Sequence, residues 1–152
     1  PSEEKDFALN EMSIVANLLD GIFGFFKTVA LVIGMFSILV GGFGIANIMF
    51  VSVRERTSII GIQKALGAKQ AFILLQFLFE SVLLSLIGGI IALLIIYLLT
   101  LILTNAFGFD IFLGLNNVMI GIGITLVIGV IAGIVPAYRA SRLDPVEAIR
   151  ST

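Results

Sequence analysis

The fold class that the sequence predicts is all-α: an integral membrane bundle of three transmembrane helices, preceded by an amphipathic helix and carrying a short helix at one membrane face. Three observations predict it. Of the 152 residues, 59% are hydrophobic and the mean hydropathy is +1.18, beyond what a water-soluble core requires. Only 12% of residues are charged. These charges are clustered, and the uncharged runs between them reach the ~20 residues that a helix needs to cross a hydrocarbon layer ~30 Å thick. In that layer every backbone N–H and C=O must be satisfied within the chain, so the spans are helices.

The N-terminal segment, residues 1–27, opens on Glu3, Glu4, Lys5 and Asp6 and lacks the basic start and short apolar core of a signal peptide. With no initiator Met, the chain reads as a fragment of a longer protein. Phe7, Met12, Val15, Leu18, Leu19, Ile22 and Phe26 recur at helical spacing, with Glu11, Asn17 and Asp20 between them. This amphipathic helix suits either a resting place on the membrane surface or a stalk leading from an external domain into the first span.

The first span runs from Thr28 to Val53 without a charge. Gly41, Gly42 and Gly44 lie in it, and Phe36, Leu39, Phe43 and Phe50 fall roughly on one side, as a dimer seam or as lipid-facing aromatics. The next segment, Ser52 to Lys69, is too polar to span and too apolar for an idle loop. Ile59, Ile60, Ile62 and Leu66 form a stripe of roughly helical spacing, and Gly67 is placed to supply a left-handed C-terminal residue. A short amphipathic helix along the membrane face fits, as does a basic loop that only fixes topology.

The second span, about Ala71 to Thr104, is interrupted only by Glu80 and holds Gly88 and Gly89. An ionisable residue inside an apolar run faces the protein interior and has a partner. Its short distance from Lys69 puts Glu80 near the interface, with Arg54 or Arg56 as partner, rather than at the midplane as part of a proton relay. The third span, about Asn117 to Tyr138, is uncharged and is expected to stop at Pro136, where a helix interior loses a hydrogen bond. It carries Gly129 and Gly133 as a GxxxG. Small residues let helices approach closely in lipid, so packing accounts for these glycines, with pliable joints at Gly41-Gly42 and Gly88-Gly89 as the alternative.

Arg54, Arg56, Lys64 and Lys69 lie between the first two spans, and Arg139, Arg142 and Arg150 follow the third, whereas the Asn105–Asn116 loop carries only Asp110. Basic residues concentrate on the cytoplasmic side, so the N-terminal segment is expected outside and the C-terminus in the cytoplasm.

Several function classes drop out. A net charge of −1 is not that of a nucleic-acid binder. With no Cys and no His, thiolate or imidazole metal sites and histidine-based triads are excluded. No GxxxxGK[ST] loop occurs, so ATP is not hydrolysed by this chain through a P-loop. Neither an enzyme acting through its own residues nor a cofactor or metal in this chain is expected.

Four ordered blocks carry a resemblance: Gly41-Gly42-Phe43-Gly44-Ile45-Ala46-Asn47-Ile48-Met49, Ser52-Val53-Arg54-Glu55-Arg56-Thr57, Gly61-Ile62-Gln63-Lys64-Ala65-Leu66-Gly67-Ala68, and Gln76-Phe77-Leu78-Phe79-Glu80. A fifth, Pro136 to Arg150, completes it. Together they closely resemble the FtsX/MacB-like ABC transporter permeases. The resemblance implies a dimeric permease, homo- or heterodimer, of four spans in the bacterial inner membrane. Of these, residues 28–152 would be the last three and residues 1–27 the end of the stalk. It implies an ABC ATPase partner that binds ATP and Mg, and ATP-driven motion passed to an external domain for export or efflux. Within that picture Arg54, Glu55, Arg56, Thr57, Gly61, Lys64, Ala65, Leu66 and Gly67 belong to a cytoplasmic coupling helix, about residues 55–68, docked on the ATPase. Ser58, Ile59 and Gln63 depart from the family's charged pattern, which implies fewer ion pairs and more apolar contact. A structural membrane protein, or an FtsX-like regulator of cell-wall hydrolases, is the alternative.

Overall fold

The computed structural model describes residues 2–108 and 112–146, with side chains described from Ser13 onward. Phe7, Glu11 and Met12 of the amphipathic pattern, Asp110, and Glu147 to Arg150 of the C-terminal block therefore lie outside what is described at side-chain level. The elements are α1 (Ser2–Glu55), α2 (Thr57–Ala65), α3 (Gln70–Phe107) and α4 (Leu115–Arg142), with no strand among the described residues. Three of these helices are long and apolar enough to cross a membrane. α1 runs unbroken from Ser2 to Glu55 rather than starting near Thr28, α3 extends a few residues beyond 71–104, and α4 differs from expectation at its end.

There, α4 does not stop at Pro136 but continues through it to Arg142. Pro136 removes one N–H, the one that would serve Ala132, and membrane helices tolerate this because local adjustment and neighbouring helices compensate. Pro136 is fully buried with Ala137 and Ala140 beside it, so packing holds the helix together across the missing bond.

Contacts divide the chain after Leu39. The first unit consists of the N-terminal part of α1: nearly every described side chain from Ser13 to Leu39 is exposed, apolar ones such as Leu18, Phe23 and Phe36 included. Its hydroxyls are satisfied within the helix, Thr28 Oγ1 donating to Gly24 O at 2.9 Å and Ser37 Oγ to Ile33 O at 2.8 Å.

The second unit is built on the antiparallel pair α3 and α4. Its seam consists of small residues one turn apart on both helices: Ser81, Ser85 and Gly89 on α3 against Thr125, Gly129 and Gly133 on α4. A Cβ on Gly129 would come within 2.8 Å of Val82 Cα, and one on Gly133 within 2.5 Å of Ser81 Cβ. Ser81 Oγ lies 2.7 Å from Leu78 O in its own helix and 3.0 Å from Gly129 O across the seam. Ser85 Oγ is placed likewise, 3.0 Å from Val82 O and 2.8 Å from Thr125 O. Close backbone approach and bridging hydroxyls replace the hydrophobic driving force that lipid cannot supply.

The other glycines behave differently. A Cβ on Gly41 or Gly88 would meet nothing within 4 Å and one on Gly42 only Ile128 at 3.8 Å, whereas one on Gly89 would run into Thr125 of the seam. All four sit in uninterrupted helix. Gly89, Gly129 and Gly133 are therefore packing residues in the second unit.

Candidate functional site

At one end of the second unit the chain gathers all four helices into one apolar cluster. Met49 and Val53 come from α1, Ile60 from α2, Ile73 and Phe77 from α3, and Ala137 and Ala140 from α4. Arg56 and Lys64, and Arg139 and Arg142 in the last turn of α4, lie at this end.

The path from α1 into α2 is nearly continuous. Only Arg56 leaves the helical region, at φ −101° and ψ 11°, and the backbone bonds Arg56 N to Ser52 O (3.1 Å) and Ile60 N to Arg56 O (3.0 Å) carry the chain across the bend. Thr57 Oγ1 lies 3.0 Å from Val53 O and 2.9 Å from Arg54 O, and so meets two carbonyls that the ending α1 leaves without intrahelical partners. α2 stops at Gly67, whose φ of 97° is left-handed. Gly67 N donates to Lys64 O and Ala68 N to Gln63 O, each at 3.0 Å. This is the Schellman pattern, in which a residue with φ > 0 satisfies the last carbonyls of a helix.

The stripe foreseen in α2 divides between two sides. Ile60 is buried in the cluster, with Gly61 also buried next to it in sequence, whereas Ile59 and Ile62 face outward and Leu66 is 84% exposed. Beside Leu66 lies an open depression of about 740 Å³, lined also by Gln63, Ala68, Phe72 and Leu75. Ala65, Arg54, Glu55 and Arg56 are exposed and Thr57 is half-buried.

Two long-range polar contacts tie α2 and its flanks to the spans. Lys64 Nζ donates to Leu143 O at 2.6 Å, placing a cation at the C-terminus of α4, where the helix dipole is negative. Arg56 donates to Glu80 Oε2 on α3 at 3.3 Å. Glu80 is thus half-buried, its side chain 29% exposed, and not the buried carboxylate the apolar run suggested. The reason is its place near the start of α3, where the bend at Arg56 brings a cation within reach. Among the three departures from the charged pattern, Ile59 faces outward, Ser58 is half-buried, and Gln63 turns inward, its Oε1 buried without a partner among the described residues.

Sequence reasoning did not find Ser81, Ser85 and Thr125. Their signal is the four-residue spacing of hydroxyls and Gly89 within an otherwise apolar run. Nor did it find the packing of Arg139 on the Phe50 ring, 5.2 Å from guanidinium carbon to centroid, which puts Phe50 against α4. Phe36, Leu39 and Phe43, grouped with Phe50 as a seam, are each exposed. Among the described residues no three acidic side chains lie together as a metal site.

The family model for the FtsX-like permease C-terminal region matches residues 31–145. The chain is similar to the macrolide export ATP-binding/permease protein MacB of Syntrophobacter fumaroxidans, 37% identical over 99% of this chain and 21% of that protein. An uncharacterized ABC transporter permease of Bacillus subtilis, YknZ, is 40% identical over 97% of the chain and 37% of its own length. A probable syringafactin export ATP-binding/permease protein of Pseudomonas syringae pv. tomato, SyfD, is 39% identical over 95% of the chain and 22% of its own length. The chain thus spans from about a fifth to under two fifths of these relatives.

Proposed function

Because the chain belongs to the FtsX-like permease family, we propose that it is the membrane-embedded, C-terminal part of an ABC transporter permease that passes motion from an ATPase to the spanning helices. The observation that carries this reading is the division of α2: Ile60 locked into a cluster drawn from every helix and Gly61 buried after it, Ile59, Ile62 and Leu66 turned out. A helix held on one side by the ends of three spans and presenting apolar knobs on the other suits a groove on a soluble partner. Ile59 outward and Gln63 inward favour apolar grip over ion pairing at that contact. In this reading Arg54, Glu55 and Ala65 are the exposed rim of the contact. Arg56, Thr57, Gly61, Lys64 and Gly67 hold the helix in place from behind. ATP and Mg belong to the partner, α2 faces the cytoplasm, and a second permease copy covers exposed apolar surface.

The test is co-purification of the full-length permease with its ATPase, expressed as a separate polypeptide, comparing wild type with Leu66→Asp. Leu66 touches little in this chain, so insertion and folding are expected to survive while association is lost. Unchanged association would reduce α2 to a topology loop. The alternative of a structural membrane protein predicts that same indifference.

A further inference from the structure

The cations gathered at the junction fall into two groups. Arg56 is paired with Glu80, and Lys64 is engaged by the Leu143 carbonyl. Arg54, Arg139 and Arg142 are exposed, and among the described residues none of them has a carboxylate within ion-pair distance. Two of the three lie over aromatic rings: Arg139 over Phe50, and Arg142 over Tyr138 at 5.3 Å from the ring centroid. Arg54 follows Phe50 by four residues in α1 and so shares its face, and a helical side chain leans back toward the N-terminus, here toward the ring that Arg139 covers. Arg139 and Arg142 are three apart on α4 and adjacent on its surface. Arg139 and Arg142 thus stand together at the end of the apolar run of α4, with Arg139 against Phe50 of α1, and Arg54 lies one turn beyond that phenylalanine where the apolar run of α1 ends.

Two further features give the patch its chemistry. A guanidinium lying over a ring is weakly hydrated, and arginine suits bidentate contact with phosphate oxygens. From Arg142 and Tyr138, the same face of α4 continues one turn at a time through Val135 and Ile131, both more than half exposed. An apolar track therefore rises from the cationic patch along the span. A soluble acidic protein would match the charge but leave that track unused.

We propose that Arg54, Arg139 and Arg142 form a binding site for the phosphate of an anionic phospholipid, whose acyl chain lies along Tyr138, Val135 and Ile131. At Arg139 and Arg142 the site requires only that the helices span a bilayer and is independent of whether α2 docks on an ATPase; Arg54, which the docking reading places at the rim of that contact, is tested apart from them.

The test uses the full-length permease purified in mild detergent, incubated with equal amounts of dioleoyl phosphatidylglycerol and dioleoyl phosphatidylcholine, with retained lipid counted by native mass spectrometry. Phosphatidylglycerol is expected to be retained preferentially, with retention falling about fivefold for each guanidinium removed, the worth of one interfacial cation. Arg139→Gln/Arg142→Gln and, on the other helix, Arg54→Gln are measured separately, so that a folding defect in one leaves the other decisive. Lys27→Gln, at the far end of the first span, is expected to change nothing. Equal retention of the two lipids, or a preference that survives both sets of substitutions, would overturn the site. Displacement by glycerol 3-phosphate at equal concentration would show a soluble phosphate site and refute the lipid. Loss of ATPase co-purification with lipid preference intact would assign the patch to a protein and likewise overturn it.

Discussion

Ser81 and Gly133 meet across the α3–α4 seam so closely that no side chain fits at Gly133: any Cβ there would collide with both the Cβ and the Oγ of Ser81. Gly133→Ala is therefore expected to destabilise the pair by about 1–3 kcal/mol, the usual cost of overpacking a tight contact. Ser81→Ala should cost about 0.6 kcal/mol, the average for an interhelical hydrogen bond in a membrane. Equilibrium unfolding in detergent on titration with dodecyl sulfate checks both, and a Gly133→Ala protein as stable as wild type would contradict the seam.

Arg56 and Glu80 form an ion pair whose side chains are 48% and 29% exposed, so water screens most of their attraction. A double-mutant cycle with Arg56→Gln and Glu80→Gln is expected to give a coupling of about 0–1 kcal/mol, shrinking as salt is raised. A coupling well above this, insensitive to salt, would mean the pair is sealed from water in the assembled protein.

Lys64 holds the last turn of α4 through the Leu143 carbonyl. Lys64→Met keeps the stem and removes the donor, and should cost about 1.5–3 kcal/mol as the loss of a charged hydrogen bond. Hydrogen exchange localises the effect: amides of Ala140 to Leu143 should exchange faster, those of Ser81 to Gly89 should not. Protection unchanged at the end of α4 would show that the contact does not restrain it.

Gly67 adopts φ 97° to close α2. Gly67→Ala is expected to cost about 1 kcal/mol, because a Cβ in the left-handed region strains the backbone. Unfolding in detergent measures it. Nothing lies within 4 Å of where the Cβ would sit, so the effect is conformational and Gly67→Asn should recover part of it.

Much of the fold was legible because lipid imposes simple rules. Charge-free runs longer than a bilayer requires marked α1, α3 and α4, and the GxxxG at Gly129 and Gly133 announced a close helix contact. The mate of that GxxxG was not legible, since serines at positions 81 and 85 scarcely interrupt an apolar run and periodicity does not say which helix a face meets. Pro136 misled for a related reason: proline ends helices in water, whereas here the buried flanks Gly133, Ala137 and Ala140 hold the turns on either side. At the candidate site, charge patterning near Glu80 pointed to Arg54 or Arg56, and only the bend at Arg56 decides between them. Lys64 could not be distinguished by sequence from an outward-facing cation, because its acceptor is a backbone carbonyl 79 residues away.

The seam of Ser81, Ser85 and Gly89 against Thr125, Gly129 and Gly133 has a consequence for stiffness. Long side chains at a helix interface act as springs, because they can change rotamer and absorb a small displacement. At the centre of this seam the contacts are glycine against the Ser81 side chain and the Val82 backbone, which leave little to absorb it, and hydroxyl bridges at two levels resist twisting. In the transmitter reading proposed above, a load entering at the Ala140 end would pass along α3 and α4 as along a single beam, with little of it lost in deformation.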